Sequence, residues 1–253
     1  METISIQKIT INNIDQKEAL SCIMSFFYAT SPRKVGFVNA HAVNWARKDS
    51  AYLDIINQFD LLLPDGIGLA IAAKFKGLTL KENLNGTDFC PLLFHLFSEQ
   101  KRSIFLLGGA PGIAQKAKEF LAEKEPSLAV VGALHGLNSK QREREICEAI
   151  CSAKPDVLIV GMGVPKQEKW ISEHKKNFPI KLYVAVGGLL DFLAGANPRA
   201  PIWMRRMGIE WFFRMCCEPR RLWKRYVLGN PQFLYHAAQE AIKEIKGRIK
   251  GHA

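Results

Sequence analysis

The sequence predicts an α/β fold, with a mostly parallel sheet covered by helices on both faces and a basic helical appendage at its carboxyl end. Three observations carry this expectation. Short apolar runs alternate with helix-periodic stretches at near-regular spacing, the pattern of parallel strands joined by helical crossovers. Three of those runs stop at glycine clusters: Gly108/Gly109/Gly112, Gly161/Gly163 and Gly187/Gly188. After Pro198 the chain turns aromatic and basic, which divides the 253 residues into a body, 1–195, and a tail, 196–253.

In order, residues 3–11 carry Ile4, Ile6, Ile9 and Ile11 in alternation with one slip, as an edge strand or hairpin does. Asp15 is the expected cap of a helix to residue 28 that buries Ala19, Ile23, Phe26 and Phe27. Residues 34–38 read as a strand ending in Asn39-Ala40-His41, before one helical stretch with Val43, Trp45 and Tyr52. The apolar run 61–63 is halted by Pro64, and Gly66 closes a turn before a helix over 67–76. In NGTD, 85–88, Thr87 or Asp88 is the expected cap of a helix over 89–100. Strands are then expected at 103–107, 128–131, 157–160 and 182–186, with helices ending near 124, 153 and 176. Pro111 and Pro165 suit first helical positions. In the tail, Arg214, Arg221 and Arg225 share one face of an unbroken helix, into which Pro219 puts a kink.

With 48% hydrophobic and 23% charged residues, the composition is that of a globular chain with a sizeable core. No secretory leader and no apolar run of bilayer-spanning length is visible. The six cysteines form no CxxC pair and no zinc-finger spacing, so reduced structural thiols in a cytoplasmic protein are expected. Residues 199–253 hold 12 Lys and Arg against Glu210, Glu218, Glu240 and Glu244, whereas the body is nearly balanced. Such a tail calls for an anionic partner: nucleic acid, a lipid surface or a phosphorylated substrate.

The stretch LLLPDGIGL, 61–69, would hold the Asp65 carboxylate at the carboxyl end of a sheet, where open α/β folds bind ligands; capping the next helix is the other reading. The glycine clusters suit a nucleotide or diphosphate, or are ordinary tight turns; none is a strict GxGxxG. A Walker A lysine is absent, and no DxD pair or His/Asp/Glu cluster suggests a metal. Gln167 either meets a sugar hydroxyl or base edge or is a surface residue of a capping box, with Glu168 beside it. Asn39 and His41 could meet the same crevice, His41 as a structural hydrogen-bond donor more readily than as a base. The tail has three readings: it packs on the body, binds nucleic acid, or lies on a membrane with Trp and Phe inward and Arg towards headgroups. The residue types favour the last, and no RNA-binding motif appears.

From about Asn39 to Tyr226 the chain resembles the WecG/TagA/CpsF family of bacterial glycosyltransferases. The resemblance rests on VNA (38–40), LPDGIG (63–68), NGTD (85–88), LLGGAPG (106–112), GMGVPKQEKW (161–170), VGGLLDFLAG (186–195), RAP (199–201) and GIEWFFRMCCEPRRLWKRY (208–226). It implies a Rossmann-like domain that moves a sugar from a UDP-sugar to a polyprenyl-diphosphate-linked acceptor, with inversion and without metal or cofactor. The sugar would be N-acetylmannosamine or its uronic acid, and the acceptor N-acetylglucosamine on undecaprenyl diphosphate. The general base falls on Asp65, and donor-pocket residues on Asn39, Gly108, Gly109, Gly161, Gly163 and Gln167. Asn85, Thr87, Asp88, Gly187, Gly188 and Asp191 join them as substrate-binding candidates. Arg214, Arg221 and Arg225 are candidate diphosphate contacts in a tail that touches an anionic membrane and closes over the site. The implied location is peripheral, on the inner face of the bacterial plasma membrane; the tail's aromatics leave a homo-oligomer open. Phe37, His41 and Asn83 depart from the family pattern at positions that bear on the sugar rather than on the reaction class.

Three readings compete with this one. The same fold could use another UDP-hexose in exopolysaccharide assembly. An NAD-dependent oxidoreductase would need a GxGxxG at the first strand end, which Asn39 and His41 occupy instead. A nucleic-acid-binding adaptor would use the tail alone.

Overall fold

The computed structural model describes residues 1–136 and 140–250. An antiparallel hairpin, β1 (Thr3–Ile6) and β2 (Ile9–Asn12), precedes α1 (Gln16–Phe26), β3 (Arg33–Val38), α2 (Ala40–Lys48) and α3 (Ser50–Asn57). Next come β4 (Leu61–Pro64), α4 (Ile67–Phe75), α5 (Gly86–Glu99), β5 (Ile104–Gly108), α6 (Ile113–Lys124) and β6 (Val130–Leu134). The body closes with α7 (Lys140–Ala153), β7 (Val157–Gly161), α8 (Lys166–His174), β8 (Leu182–Ala185) and α9 (Leu189–Leu193). The tail holds α10 (Ile202–Arg206), α11 (Glu210–Cys217), α12 (Pro219–Trp223), a π-helical turn over Lys224–Leu228, and α13 (Gly229–Lys250).

Six strands form one parallel sheet in the order β4-β3-β8-β7-β5-β6. A parallel sheet covered on both faces needs strands that are apolar throughout, and β4, β5, β7 and β8 are buried along their whole length. Alternate residues serve the two faces. Phe105, Leu107, Leu158 and Val160 pack with the hairpin and with α2, α3, α4, α8 and α13. Ile104, Leu106, Val157 and Ile159 pack with α1, α5 and α6.

The slip in the first isoleucine series is a two-residue turn: Gln7 and Lys8 both have positive φ, 48° and 70°. That costly conformation is held by α13, because Gln7 N donates to Glu240 Oε2 at 2.9 Å and Gln7 Nε2 to the Phe233 carbonyl at 3.1 Å. Asp15 caps α1 in a reciprocal box with Glu18, as expected. Phe26 is only partly buried, while Phe27 is buried. The helical stretch after β3 is two helices, split where Asp49 accepts from Tyr52 N and caps α3. Asn85 caps α5, rather than Thr87 or Asp88. Pro111 and Pro165 stand just before their helices rather than at the first helical position.

The tail is not uniform. Residues 202–228 run past the strand ends, whereas α13 packs on α2 and α4. There Phe233 is fully buried in the main core, and Asn44 Nδ2 donates to the Gly229 carbonyl at 2.7 Å. Residues 196–253 are therefore one appendage in charge only; their last helix is part of the body's packing.

Candidate active site

The strand order reverses direction between β3, whose next strand lies outward as β4, and β5, whose next strand lies outward the other way as β6. Open α/β sheets bind ligands beyond the strand ends at such a point. Asp65 follows β4, the edge strand beside β3, its N–H donating to the Val38 carbonyl at 2.7 Å, and Gly66 N donates to Asn83 Oδ1 at 2.7 Å. Asp65 does not cap α4: Gly66 occupies the cap position and no side chain caps that helix.

The neighbour of Asp65 is fixed by a cap of its own. Asn39 Oδ1 accepts from His41 N at 3.1 Å and Ala42 N at 3.2 Å, closing the amino end of α2. Those two bonds turn the amide nitrogen the other way, where Nδ2 donates to Asp65 Oδ2 at 3.1 Å. Among the described residues nothing donates to Asp65 Oδ1. Burial pushes the Asp65 carboxyl above the ordinary carboxylate range, against the Asn39 hydrogen bond and the charges of Arg225 and Arg214, which pull it down.

Two cavities meet at this carboxylate. One, of about 720 Å³, is walled by the glycine turns after β7 and β8 and by Gly109 after β5. The other, of about 610 Å³, lies between α4 and residues 205–234 and is largely apolar. Asn39, Asp65, Thr87, Arg214 and Arg225 line both. Gly161, Gly163, Gln167, Gly187, Gly188, Asp191 and Arg221 line the glycine-walled chamber only, and Asn85 and Asp88 the apolar one only.

Gly108 lines neither cavity. A Cβ there would stand 2.2 Å from the Gly161 carbonyl oxygen, so this glycine lets the ends of β5 and β7 meet, and Gly109 N then donates to the same oxygen at 3.0 Å. Gln167, which lines the chamber, is not the surface residue of a capping box. It is 2% exposed, and its Oε1 accepts from Gly163 N at 3.2 Å and Gly187 N at 2.9 Å, tying the turns after β7 and β8 together. Its Nε2 donates to Glu168 Oε1 at 2.8 Å, so most of its hydrogen-bonding capacity serves the protein. Glu168 is equally buried, its Oε2 has no partner, and burial lifts its carboxyl to about 7.

The cations divide by partner. Arg221 is held by both carboxylate oxygens of Glu218. Arg214 lies 4.9 Å from the centre of the Phe192 ring, with its guanidinium beside Gly188; neither it nor Arg225 forms an ion pair among the described residues. Burial depresses Arg225, as desolvated cations are. Asp88 is taken up by Arg199 at 2.8 Å and Arg205 at 3.1 Å, with Asn85 donating to its other oxygen at 2.7 Å, so it fastens the tail to α5. Burial raises Asp191, opposed by Arg221 and Arg214. His41 accepts from Trp45 Nε1 at 3.2 Å, and burial with Arg225 and Lys48 nearby lowers it to about 4, so it is neutral at neutral pH. No group of three or more His, Cys, Asp or Glu gathers to hold a metal among the described residues.

Asn83, Glu168, Arg199 and Arg205 have positioning parts that the sequence reading did not assign them. Arg199 lies in the RAP stretch, Glu168 in GMGVPKQEKW, and Asn83 stood out as a departure from the family pattern, but Arg205 carried no signal and neither did the burial of Glu168. No helix among the described residues is long and apolar enough to cross a membrane.

Residues 4–247 match the family described as "Glycosyl transferase WecG/TagA/CpsF family". An N-acetylglucosaminyldiphosphoundecaprenol N-acetyl-beta-D-mannosaminyltransferase of Bacillus subtilis (strain 168) is 30% identical over 214 residues, 85% of this chain and 80% of the relative. A relative of the same description from Staphylococcus aureus (strain MRSA252) is 30% identical over 245 residues, 96% of this chain and 94% of its own. The chain is a glycosyltransferase and belongs to the WecG/TagA/CpsF family.

Proposed function

We propose that this enzyme transfers N-acetylmannosamine from a UDP-sugar to N-acetylglucosamine on a polyprenyl diphosphate, with inversion, and that Asp65 is the general base. The relatives' names support the sugar and the acceptor. The observation that carries the mechanism is the position of Asp65 where the two cavities join, with one oxygen held by Asn39 and the other open. The donor enters the glycine-walled chamber, and the acceptor hydroxyl reaches the anomeric carbon from the other side. A bond forms between the acceptor oxygen and that carbon, the carbon–oxygen bond to UDP breaks, and the hydroxyl proton passes to Asp65. One carboxylate suffices, because inversion needs no covalent glycosyl-enzyme. A carboxyl raised by burial is a stronger base in its ionised form. The negative charge that develops on UDP is met by Arg214, Arg225 and the amino end of α8 at the chamber wall. Acting on a lipid-linked acceptor, the enzyme works peripherally at a membrane surface, with the aromatic and basic tail towards anionic headgroups.

The test is transfer from UDP-N-acetylmannosamine to a short-chain polyprenyl-diphosphate N-acetylglucosamine, with Asp65→Asn as the variant. Loss of a general base costs about 10²–10⁴ in kcat. UDP affinity should stay within about threefold, since Asp65 stabilises the attacking group and not the leaving one. An Asp65→Asn rate near wild type would remove the assignment.

A further inference from the structure

Resting on that reading, the apolar cavity needs an occupant that a sugar alone does not supply. A sugar ring presents hydroxyls on every edge and calls for polar partners around it; Asn83, Asn85, Thr87 and Asn230 offer some, but the rest of the lining is largely apolar. Ile67, Ile71, Phe212, Val227 and Leu234 line it. Ile67, Phe212 and Val227 are at the same time 43%, 47% and 50% exposed, so the mouth is a rim of open hydrocarbon surface. Leu228 and Trp223, 57% and 44% exposed, are further apolar side chains of the same covering segment beside Val227. The charged side chains of the lining are Asp65, Asp88, Arg205, Glu210, Arg214 and Arg225. Arg214 and Arg225 form no ion pair among the described residues. Of the acids, Asp88 is bound by Arg199 and Arg205, Asp65 has Arg225 and Arg214 beside it, and Glu210 has Arg199 and Arg214. The wall thus has a cationic inner end and an apolar body.

We propose that this cavity binds the first isoprene units of the acceptor's polyprenyl chain, with the adjoining diphosphate at Arg214 and Arg225, which line both cavities and so stand between it and the diphosphate of UDP. The lipid is then recognised by the protein itself and is more than a tether to the bilayer. An isoprenoid diphosphate has the matching asymmetry: a compact anion joined directly to branched hydrocarbon. Its burial removes apolar surface of ligand and cavity from water together. A neutral His41 in the wall adds no competing charge.

The experiment uses the full chain without detergent or vesicles, and measures calorimetric binding of methyl, prenyl, geranyl and farnesyl diphosphate. Affinity should rise by about tenfold or more from methyl to geranyl diphosphate, and by little beyond once the cavity is filled. Val227→Glu should bring the geranyl-to-methyl ratio close to one. In transfer assays, kcat/KM for N-acetylglucosaminyl-diphosphate acceptors of the same chain lengths should follow the same series. Equal affinity for all four diphosphates overturns the proposal, and so does a length dependence that appears only with vesicles. It is also overturned if Val227→Glu abolishes self-association and leaves geranyl diphosphate binding intact, since the rim is then an interface between copies. Because the binding series needs no donor, it separates failure of this subsite from failure of the UDP-sugar reading, which UDP titration reports on its own.

Discussion

Replacing Gln167 with Ala removes one oxygen that accepts two backbone N–H groups, those of Gly163 and Gly187. A fully buried donor left unpaired costs about 1–3 kcal/mol. Both glycines line the glycine-walled chamber, where water reaches, so the lower end applies and the pair costs about 2 kcal/mol. Glu168 Oε1 loses its donor at the same time, and Oε2 has none. For a chain of this length about 2 kcal/mol lowers the melting temperature by roughly 4–8 °C. The two loops would also separate, so UDP should bind at least about tenfold more weakly in calorimetry, beyond what reduced stability explains. Gln167→Glu sharpens the test. A carboxylate oxygen still accepts both N–H groups, but its other oxygen then faces Glu168 and the two must share a proton. That variant should approach wild-type stability in urea unfolding near pH 5.5 and fall below it near pH 8. Unfolding free energy of Gln167→Ala within about 0.5 kcal/mol of wild type would refute the reasoning, since that is the scatter of inert surface changes.

Burial of Glu168 gives a second prediction. With its carboxyl lifted to about 7, the native state keeps a proton that the unfolded chain releases above the ordinary glutamate range. The stability this provides is fully present below the unfolded pKa and is lost as pH rises through about 7, a decline on the order of 3 kcal/mol. Glu168→Gln should flatten urea stability between about pH 5 and 8, and an unchanged slope would contradict it. Gly108→Ala puts a Cβ 2.2 Å from Gly161 O and 2.4 Å from Gly161 C, which cannot yield without parting β5 from β7. Loss of folded protein, or about 4 kcal/mol or more, is expected. At Gly163 nothing lies within 4 Å of an added Cβ, so Gly163→Ala costs only the positive φ, about 1–2 kcal/mol. Equal melting temperatures for the two variants would count against this division of roles.

Strands β4, β5, β7 and β8 were legible because they are buried on both faces and therefore continuously apolar, as in LIVG before Met162. Their order was not. No residue in β8 says that it inserts between β3 and β7, so the meeting of Gly108 with Gly161 stayed hidden and its glycine read as a phosphate turn. Gln167 was found but its direction was not. A residue in the first turn of a helix faces ligand, solvent or sheet according to how the helix docks, and Gln167 faces the sheet. The burial of Glu168 carried no signal, since a lone acid in the first turn of a helix is ordinarily exposed. Asp65 was legible as a carboxylate at a strand end. What the sequence left open, capping or ligand, was decided by Gly66 occupying the cap position. The split of one helical stretch at Asp49 shows the usual limit: a cap in mid-pattern does not interrupt apolar periodicity.

The docking of α13 bears on how this chain can evolve. Its partners are scattered through the first third of the sequence: Gln7 holds Glu240 and the Phe233 carbonyl, Asn44 holds the Gly229 carbonyl, and Lys76 Nζ lies 2.7 Å from Glu244 and 3.4 Å from Glu240. A last helix borrowed from a relative will be tolerated only if it brings residues that match positions 7, 44 and 76, so those positions and α13 change together.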